Sequence, residues 1–300
     1  MIEPGDLRAR FEIGEHPLSL IRIEEDAAGD HIVARLEFGT AAGEKVRGLL
    51  TRPAAVRRRS PAILYIHAHG HRHDIGASEL IDGRPALQGP LGPVLARLGY
   101  VTLAIDMPAF GSRIGIGEDA LAKALLWRGR SLAGQMLGEQ AAALGWLADL
   151  PHVDAARMGV FGISMGATLG YWLGAVDNRL ACVVQLCCYA DFDTLIETGA
   201  HDLHGLYLTV PGLLDATTNG EIAGLIAPRP QFIGIGDLDP LTPPAAVDRA
   251  LPATRAAYAA LGAADNLVLY REATGGHRES AGMRRALLAF LARHLAASGS

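Results

Sequence analysis

The sequence predicts an α/β protein: a mostly parallel central sheet, helices on both of its faces, and a lid-like insert around residues 189–229. Three observations lead there. Short runs that are apolar throughout recur along the chain, as strands buried on both faces require. Segments with apolar residues at helical spacing lie between those runs. Strands alternating with helices in this way imply right-handed crossovers and a parallel sheet.

The elements follow in order. "HIVARLEFGT" (31–40) and "KVRGLLTRP" (45–53) alternate or carry β-branched apolar residues around the turn "AAGE", which suits an antiparallel hairpin. Six apolar runs come next: 62–68, 100–107, 158–164, 180–188, 231–237 and 266–272. Between them, "GEQAAALGWLADL" puts Leu137, Ala141, Leu144 and Leu147 or Ala148 on one helical face and stops before Pro151. "SMGATLGYWLGAV" follows the third run. "AVDRALPATRAAYAALG" follows the fifth and carries Pro252, which kinks a helix. "AGMRRALLAFLARHL" closes the chain with Met283, Leu287 and Phe290 or Leu291 in register. Residues 189–229 and 69–98 are too long for plain crossovers and are expected to wall a pocket. With no internal repeat or low-complexity linker, residues 1–300 read as one domain, with the N-terminal strands within 1–60.

Composition limits the function classes. Half of the 300 residues are hydrophobic, enough for a large core, and the net charge of −5 gives no basic surface for a nucleic acid. Arg57-Arg58-Arg59, between Pro53 and Pro61, reads as an exposed loop. The N-terminus has no apolar signal core and no window reaches a membrane span, so a cytoplasmic protein without a membrane partner is expected. Cys182, Cys187 and Cys188 are an odd cluster in an apolar run and read as buried reduced thiols. Trp127, Trp146 and Trp172 lie in helical contexts and are expected in the core.

One motif carries chemistry. Gly162-Ile163-Ser164-Met165-Gly166 is a G-x-S-x-G pattern where an apolar strand meets an apolar helix, the setting of a nucleophile elbow. A serine hydroxyl needs a base oriented by an acid, and in this architecture the chain order is Ser, acid, His. "QFIGIG" runs into Asp237-Leu238-Asp239-Pro240, and "NLVLYREA" runs into Thr274-Gly275-Gly276-His277. Both loops fall at the carboxyl edge that holds Ser164, where open α/β sheets bind ligands. His277 is the expected base. Asp239 is the expected acid, with Asp237 the near alternative and Asp191 or Asp193 in reserve; Asp106 is expected to brace "MPAFGSR".

"HAHGHRHD" admits two readings. As an oxyanion loop it supplies a backbone N–H from His69 or Gly70, beside the N–H of Met165. As a metal site it would gather His67, His69, His71 and His73, with His201 and His204 of "GAHDLHG". The oxyanion reading is preferred, because ligands two residues apart converge only in a bent loop. Gly70, His71, His201 and His204 are then expected near the substrate, and no metal or other cofactor is required.

Taken together, "GISMG", "GDLDPLTP" and "GGH" resemble the nucleophile, acid and histidine elements of the α/β-hydrolases, over roughly residues 60–296. "YIHAHGHRHD", "AIDMPAFGSR", "VPGLL" and "IAPRPQFIGIGDLDPLTP" narrow the resemblance to the dienelactone-hydrolase-like and acetyl-xylan-esterase-like branch. The nucleophile is Ser, where dienelactone hydrolases carry Cys and haloalkane and epoxide hydrolases carry Asp. The resemblance therefore implies serine carboxylesterase chemistry on small or medium esters, with Ser164, Asp239 and His277 in the catalytic roles. An amidase or peptidase on the same triad, or a metal-dependent hydrolase using the His67–His73 loop, is the alternative. Association into a homo-oligomer is left open.

Overall fold

The computed structural model describes residues 2–55 and 58–295. One nine-stranded sheet runs through them: β1 (Leu18–Ala28), β2 (His31–Thr40), β3 (Lys45–Pro53), β4 (Ser60–Ile66), β5 (Val101–Ile105), β6 (Val153–Ile163), β7 (Leu180–Leu186), β8 (Gln231–Gly236) and β9 (Leu267–Glu272). Its order is β1-β2-β3-β5-β4-β6-β7-β8-β9. The first three strands and the β3–β5 pair are antiparallel; from β5 onward every pair is parallel.

The helices are α1 (Pro4–Arg10), α2 (Glu79–Asp82), α3 (Leu91–Arg97), α4 (Glu118–Leu126), α5 (Leu132–Ala148) and α6 (Met165–Val176). After β7 come α7 (Phe192–Thr198), α8 (Leu213–Ala216), α9 (Asn219–Gly224), α10 (Pro244–Ala260) and α11 (Ala281–Leu295).

The unbroken apolar runs have a simple cause. Successive side chains of a strand point to opposite faces, and both faces here are covered. Leu64 and Ile66 of β4, Val160 of β6 and Ile233 of β8 enter one core, against α5, α6 and α9. Ile63 and Tyr65, Phe161 and Phe232 enter the other, against α3 and α11. Both faces favour apolar residues, so alternation is lost; the buried Gln185 and Gln231 are tolerated because Gln231 Nε2 donates to Gln185 Oε1 (2.9 Å).

Three features depart from the sequence reading. β1 is an additional strand, paired to β2 but mostly exposed; its polar residues fall on both faces, so no periodicity marks it. Trp127 is not in the core: it ends α4 and is 90 % exposed, whereas Trp172 is fully buried. The insert is also not uniform. Its second half belongs to the body of the fold, because α9 packs between α6 and α10, with Asn219 accepting from Trp172 Nε1 (3.1 Å) and donating to Ala190 O (3.0 Å). Only the first half, through α7 and the following turns, stands over the carboxyl edge. Of the basic run, Arg58 and Arg59 are exposed and Arg57 lies outside the described residues. No helix among the described residues is long and apolar enough to cross a membrane.

Candidate active site

β6 delivers Ser164 into α6 through a turn that few sequences could make. Ser164 has φ 58° and ψ −125°, a region costing a non-glycine residue on the order of 1–3 kcal/mol. Its amide donates to Leu186 O of β7 at 2.9 Å, which anchors the turn to the neighbouring strand. The two glycines of the motif provide close approach. A Cβ on Gly162 would overlap the Gly166 carbonyl, and one on Gly166 would overlap the Ile66 carbonyl at the end of β4. The elbow is thereby pressed against the start of the histidine-rich loop. Ser164 is 8 % exposed, and Met165, the first residue of α6, offers an N–H that has no intrahelical acceptor.

Acid and base stand on the loops after β8 and β9. Those loops are laced together: Asp237 N donates to Glu272 O (2.9 Å) and Leu238 N to Gly275 O (2.8 Å). The backbones at Gly236 and Gly275 touch so closely that a Cβ on Gly236 would collide with Gly275. His277 Nε2 lies 2.9 Å from Ser164 Oγ, and His277 Nδ1 lies 2.6 Å from Asp239 Oδ2. Asp239, 2 % exposed, also accepts the Leu241 N–H at 2.9 Å through its other oxygen. Asp237 turns away to Arg271 (2.5 Å). Asp191 caps α7, accepting from Thr194 N at 2.9 Å, and Asp193 sits in the first turn of that helix.

The histidine-rich loop is held by carboxylates that come from elsewhere. Glu79 accepts the Ala68 N–H (3.1 Å) and pairs with Arg84, which donates to Ala68 O (3.1 Å). Burial raises the Glu79 pKa in spite of that arginine. Asp106, fully buried, accepts from Ala77 N (2.7 Å), Ser112 N (2.8 Å) and Ser112 Oγ (2.8 Å), and pairs with Arg47 (3.0 Å). His67 is internal: Nδ1 faces Ala68 O (3.1 Å), Nε2 accepts the Met107 N–H (3.2 Å), and burial pushes its pKa down to about 4.

His69 points toward α4. Its Nδ1 accepts the His71 N–H (3.0 Å), which places the ring proton on Nε2, 2.6 Å from Glu118 Oε2. Burial alone would raise the Glu118 pKa, but the hydrogen bond from His69 carries it below the ordinary carboxylate value. Glu118 Oε1 faces the Tyr207 N–H (3.4 Å), so one carboxylate joins the loop after β4 to the insert. Nothing in "GIGEDALAKALL" distinguishes this glutamate from a residue of an ordinary acidic first turn; its role is visible only through its partners.

The structure does not gather all six histidines of the metal reading. His67 uses both ring nitrogens internally. His201 is exposed, with Nδ1 3.3 Å from Leu195 O, and His204 Nε2 donates to Leu241 O at 2.9 Å. His69, His73 and Glu118 do hold potential ligand atoms within 4.8 Å of one another. However, the tautomer fixed on His69 presents N–H, not a lone pair, to that space, and His73 Nε2 is 3.8 Å from the carboxylate.

The expected substrate contacts divide. Gly70 and His71 point to solvent at φ 54° and 53°, the space beyond Gly70 is filled by Arg84, and the His71 ring packs against His69. His204 approaches the site: burial lowers its pKa, and His277, Asp239 and His69 all act on its charge. The three cysteines are free and buried; burial pushes Cys182 and Cys188 up to about 12 and raises Cys187 well above the ordinary thiol value, which removes them as nucleophiles.

No family model matches the chain. A Bacillus subtilis (strain 168) protein named "Putative hydrolase YtaP" is 37% identical over 292 residues, covering 97% of this chain and 96% of its own. Among solved structures, acetyl xylan esterase 1 from Thermoanaerobacterium sp. JW/SL YS485 superimposes with a TM-score of 0.67 at 16% identity, covering 98% of this chain and 94% of that one. The glucuronoyl esterase from Solibacter usitatus gives 0.68 at 14%, covering 96% and 91%. At such identities the structural likeness is one of fold, while the likeness to YtaP spans both chains almost end to end. The chain belongs to the same family as the hydrolase YtaP and has the α/β-hydrolase fold.

Proposed function

We propose that the protein is a serine carboxylesterase acting through an acyl-enzyme. The observation that carries this reading is the continuous hydrogen-bonded line from Ser164 Oγ through His277 to the buried Asp239 carboxylate. In the first half-reaction His277 Nε2 takes the Ser164 proton as Oγ attacks the ester carbonyl. Asp239, on Nδ1, holds the imidazole in the required tautomer and offsets its positive charge. The Met165 N–H, and an N–H of the loop at His69, receive the oxyanion. His277 then returns the proton to the leaving alcohol. Water repeats the cycle to release the acid. His277 handles the proton in each half-reaction, and the cycle balances with ester and water alone.

Glu118 is assigned a positioning part. By holding His69 it fixes the backbone that carries the second oxyanion donor. The ester-cleaving names of the fold neighbours point the same way, and the substrate is read as a small or medium ester. Hydrolysis of p-nitrophenyl acetate, set against the matching anilide, tests the proposal. It requires turnover of the ester that vanishes in Ser164→Ala at unchanged thermal stability. A Ser164→Ala protein that keeps most of its activity would overturn it, and faster cleavage of the anilide would move the reading to an amidase.

A further inference from the structure

The first half of the insert encloses a cavity of about 340 Å³, within the range of ligand pockets. Its walls are chiefly Phe192, Leu195, Ile196, Leu206, Leu208 and Leu213. Four other cavities lie elsewhere, three flanking the N-terminal segment and one over β1–β3. The insert cavity is mostly apolar, with His201, Asp202 and His204 as its polar lining, and it borders the catalytic loops.

That border is one residue thick. His204 and Gly205 line the cavity. From the same backbone, His204 Nε2 donates to Leu241 O, two residues beyond Asp239, at 2.9 Å. Gly205 packs against His69 so closely that a Cβ would stand 3.1 Å from His69 Nε2. One wall of the cavity is therefore in contact with both the acid loop and the loop after β4. Burial favours the neutral form of His204, and Asp202 is the charged residue of the lining. Ile196 and Leu203, 51 % and 47 % exposed, lie on the water side of this part of the insert.

We infer that this cavity is the subsite for an apolar acyl chain, which makes the preferred substrates esters of medium-chain aliphatic acids rather than acetates. The inference rests on the esterase reading above. Burying one methylene is worth about 0.8 kcal/mol, a factor of about 4 in kcat/KM if it is realised in the transition state. From p-nitrophenyl acetate to the hexanoate, kcat/KM then rises by up to about 4-fold per added methylene.

The test measures kcat/KM on the acetate, butyrate, hexanoate and octanoate for the wild type, for Ile196→Glu and for Thr209→Trp, which narrows the cavity from its exposed side. The hexanoate-to-acetate ratio is expected to exceed about 10 in the wild type and to fall at least about 10-fold in both variants. A wild-type ratio near one, or variants that slow both esters alike, overturns the inference. So does an Ile196→Glu protein that changes only its oligomeric state on a sizing column, since the cavity would then serve a second copy of the chain. Calorimetric binding of octanoate against acetate separates the two readings. If no ester is hydrolysed but octanoate binds at least about 10-fold more tightly than acetate, and less so to Ile196→Glu, the esterase reading fails and the apolar subsite stands. Equal binding of the two anions removes the subsite whatever the activity.

Discussion

The serine elbow and the histidine-rich loop meet in one site but are built by opposite means. The elbow is a backbone construction: strained angles at Ser164, two glycines without room for a methyl group, and an amide anchored to the next strand. The residue types it demands lie within five consecutive residues and the strand and helix that flank them, and its neighbours β4 and β7 contribute only backbone carbonyls. The loop at 67–73 is a side-chain construction. The loop is placed by Glu79 and Arg84 below, the Met107 N–H after β5, and Glu118 at the start of α4. A motif can be read from sequence when its physics is local; a loop whose partners are dispersed along the chain cannot.

The largest effect expected from perturbing this comparison is on the acid. Asp239→Asn keeps the shape but presents the wrong group to His277 Nδ1, and should lower kcat on p-nitrophenyl acetate by about 10⁴-fold. Asp237→Asn touches only the Arg271 pair and should stay within about 3-fold. Equal losses in the two variants would mean that the acid has been misassigned.

Next comes the backbone of the elbow. Gly166→Ala puts a methyl group on the Ile66 carbonyl and should cost about 4 kcal/mol or prevent folding, read as the midpoint of urea unfolding. A fold that absorbs it without loss would show that the elbow is not as tightly seated as described.

The third test concerns His67. Its pKa is lowered by burial to about 4, so the unfolded chain takes up this proton at a higher pH than the folded chain does. The stability it contributes is therefore complete above the unfolded value near 6.5 and is lost as pH falls toward 4. It amounts to about 3 kcal/mol. The unfolding free energy of wild type minus that of His67→Gln should fall by about that amount from pH 8 to 4, and a difference that does not change with pH would contradict this.

The smallest expected effect belongs to Glu118. Glu118→Ala frees the His69 ring and should lower kcat about 10-fold with little change in KM, and Glu118→Gln, which can still accept from Nε2, should restore most of it. A change confined to KM would make Glu118 a binding residue instead.

The same division explains what could be read in the sequence. β2, β3 and the six later strands were legible because burial on both faces, or alternation around a turn, leaves a direct record in residue type. Ser164, Asp239 and His277 were legible because each follows a strand at the same edge. β1 left no record, since its exposed residues satisfy no period. Trp127 misled because helical context says nothing of which side of a helix faces the core. That Arg84 occupies the space beyond Gly70 could not be read from spacing alone. Glu118 and the apolar cavity of the insert depend on contacts between segments remote in the chain, which no local pattern encodes.

The central claim is that Ser164 is a nucleophile activated by His277. Intact-mass measurement after reaction with a fluorophosphonate tests it most directly. The account predicts one phosphonyl adduct, mapped to Ser164, absent in Ser164→Ala and formed at least about 10³-fold more slowly in His277→Ala. A wild-type protein that stays unlabelled, or a Ser164→Ala protein that labels at the same rate, would contradict it.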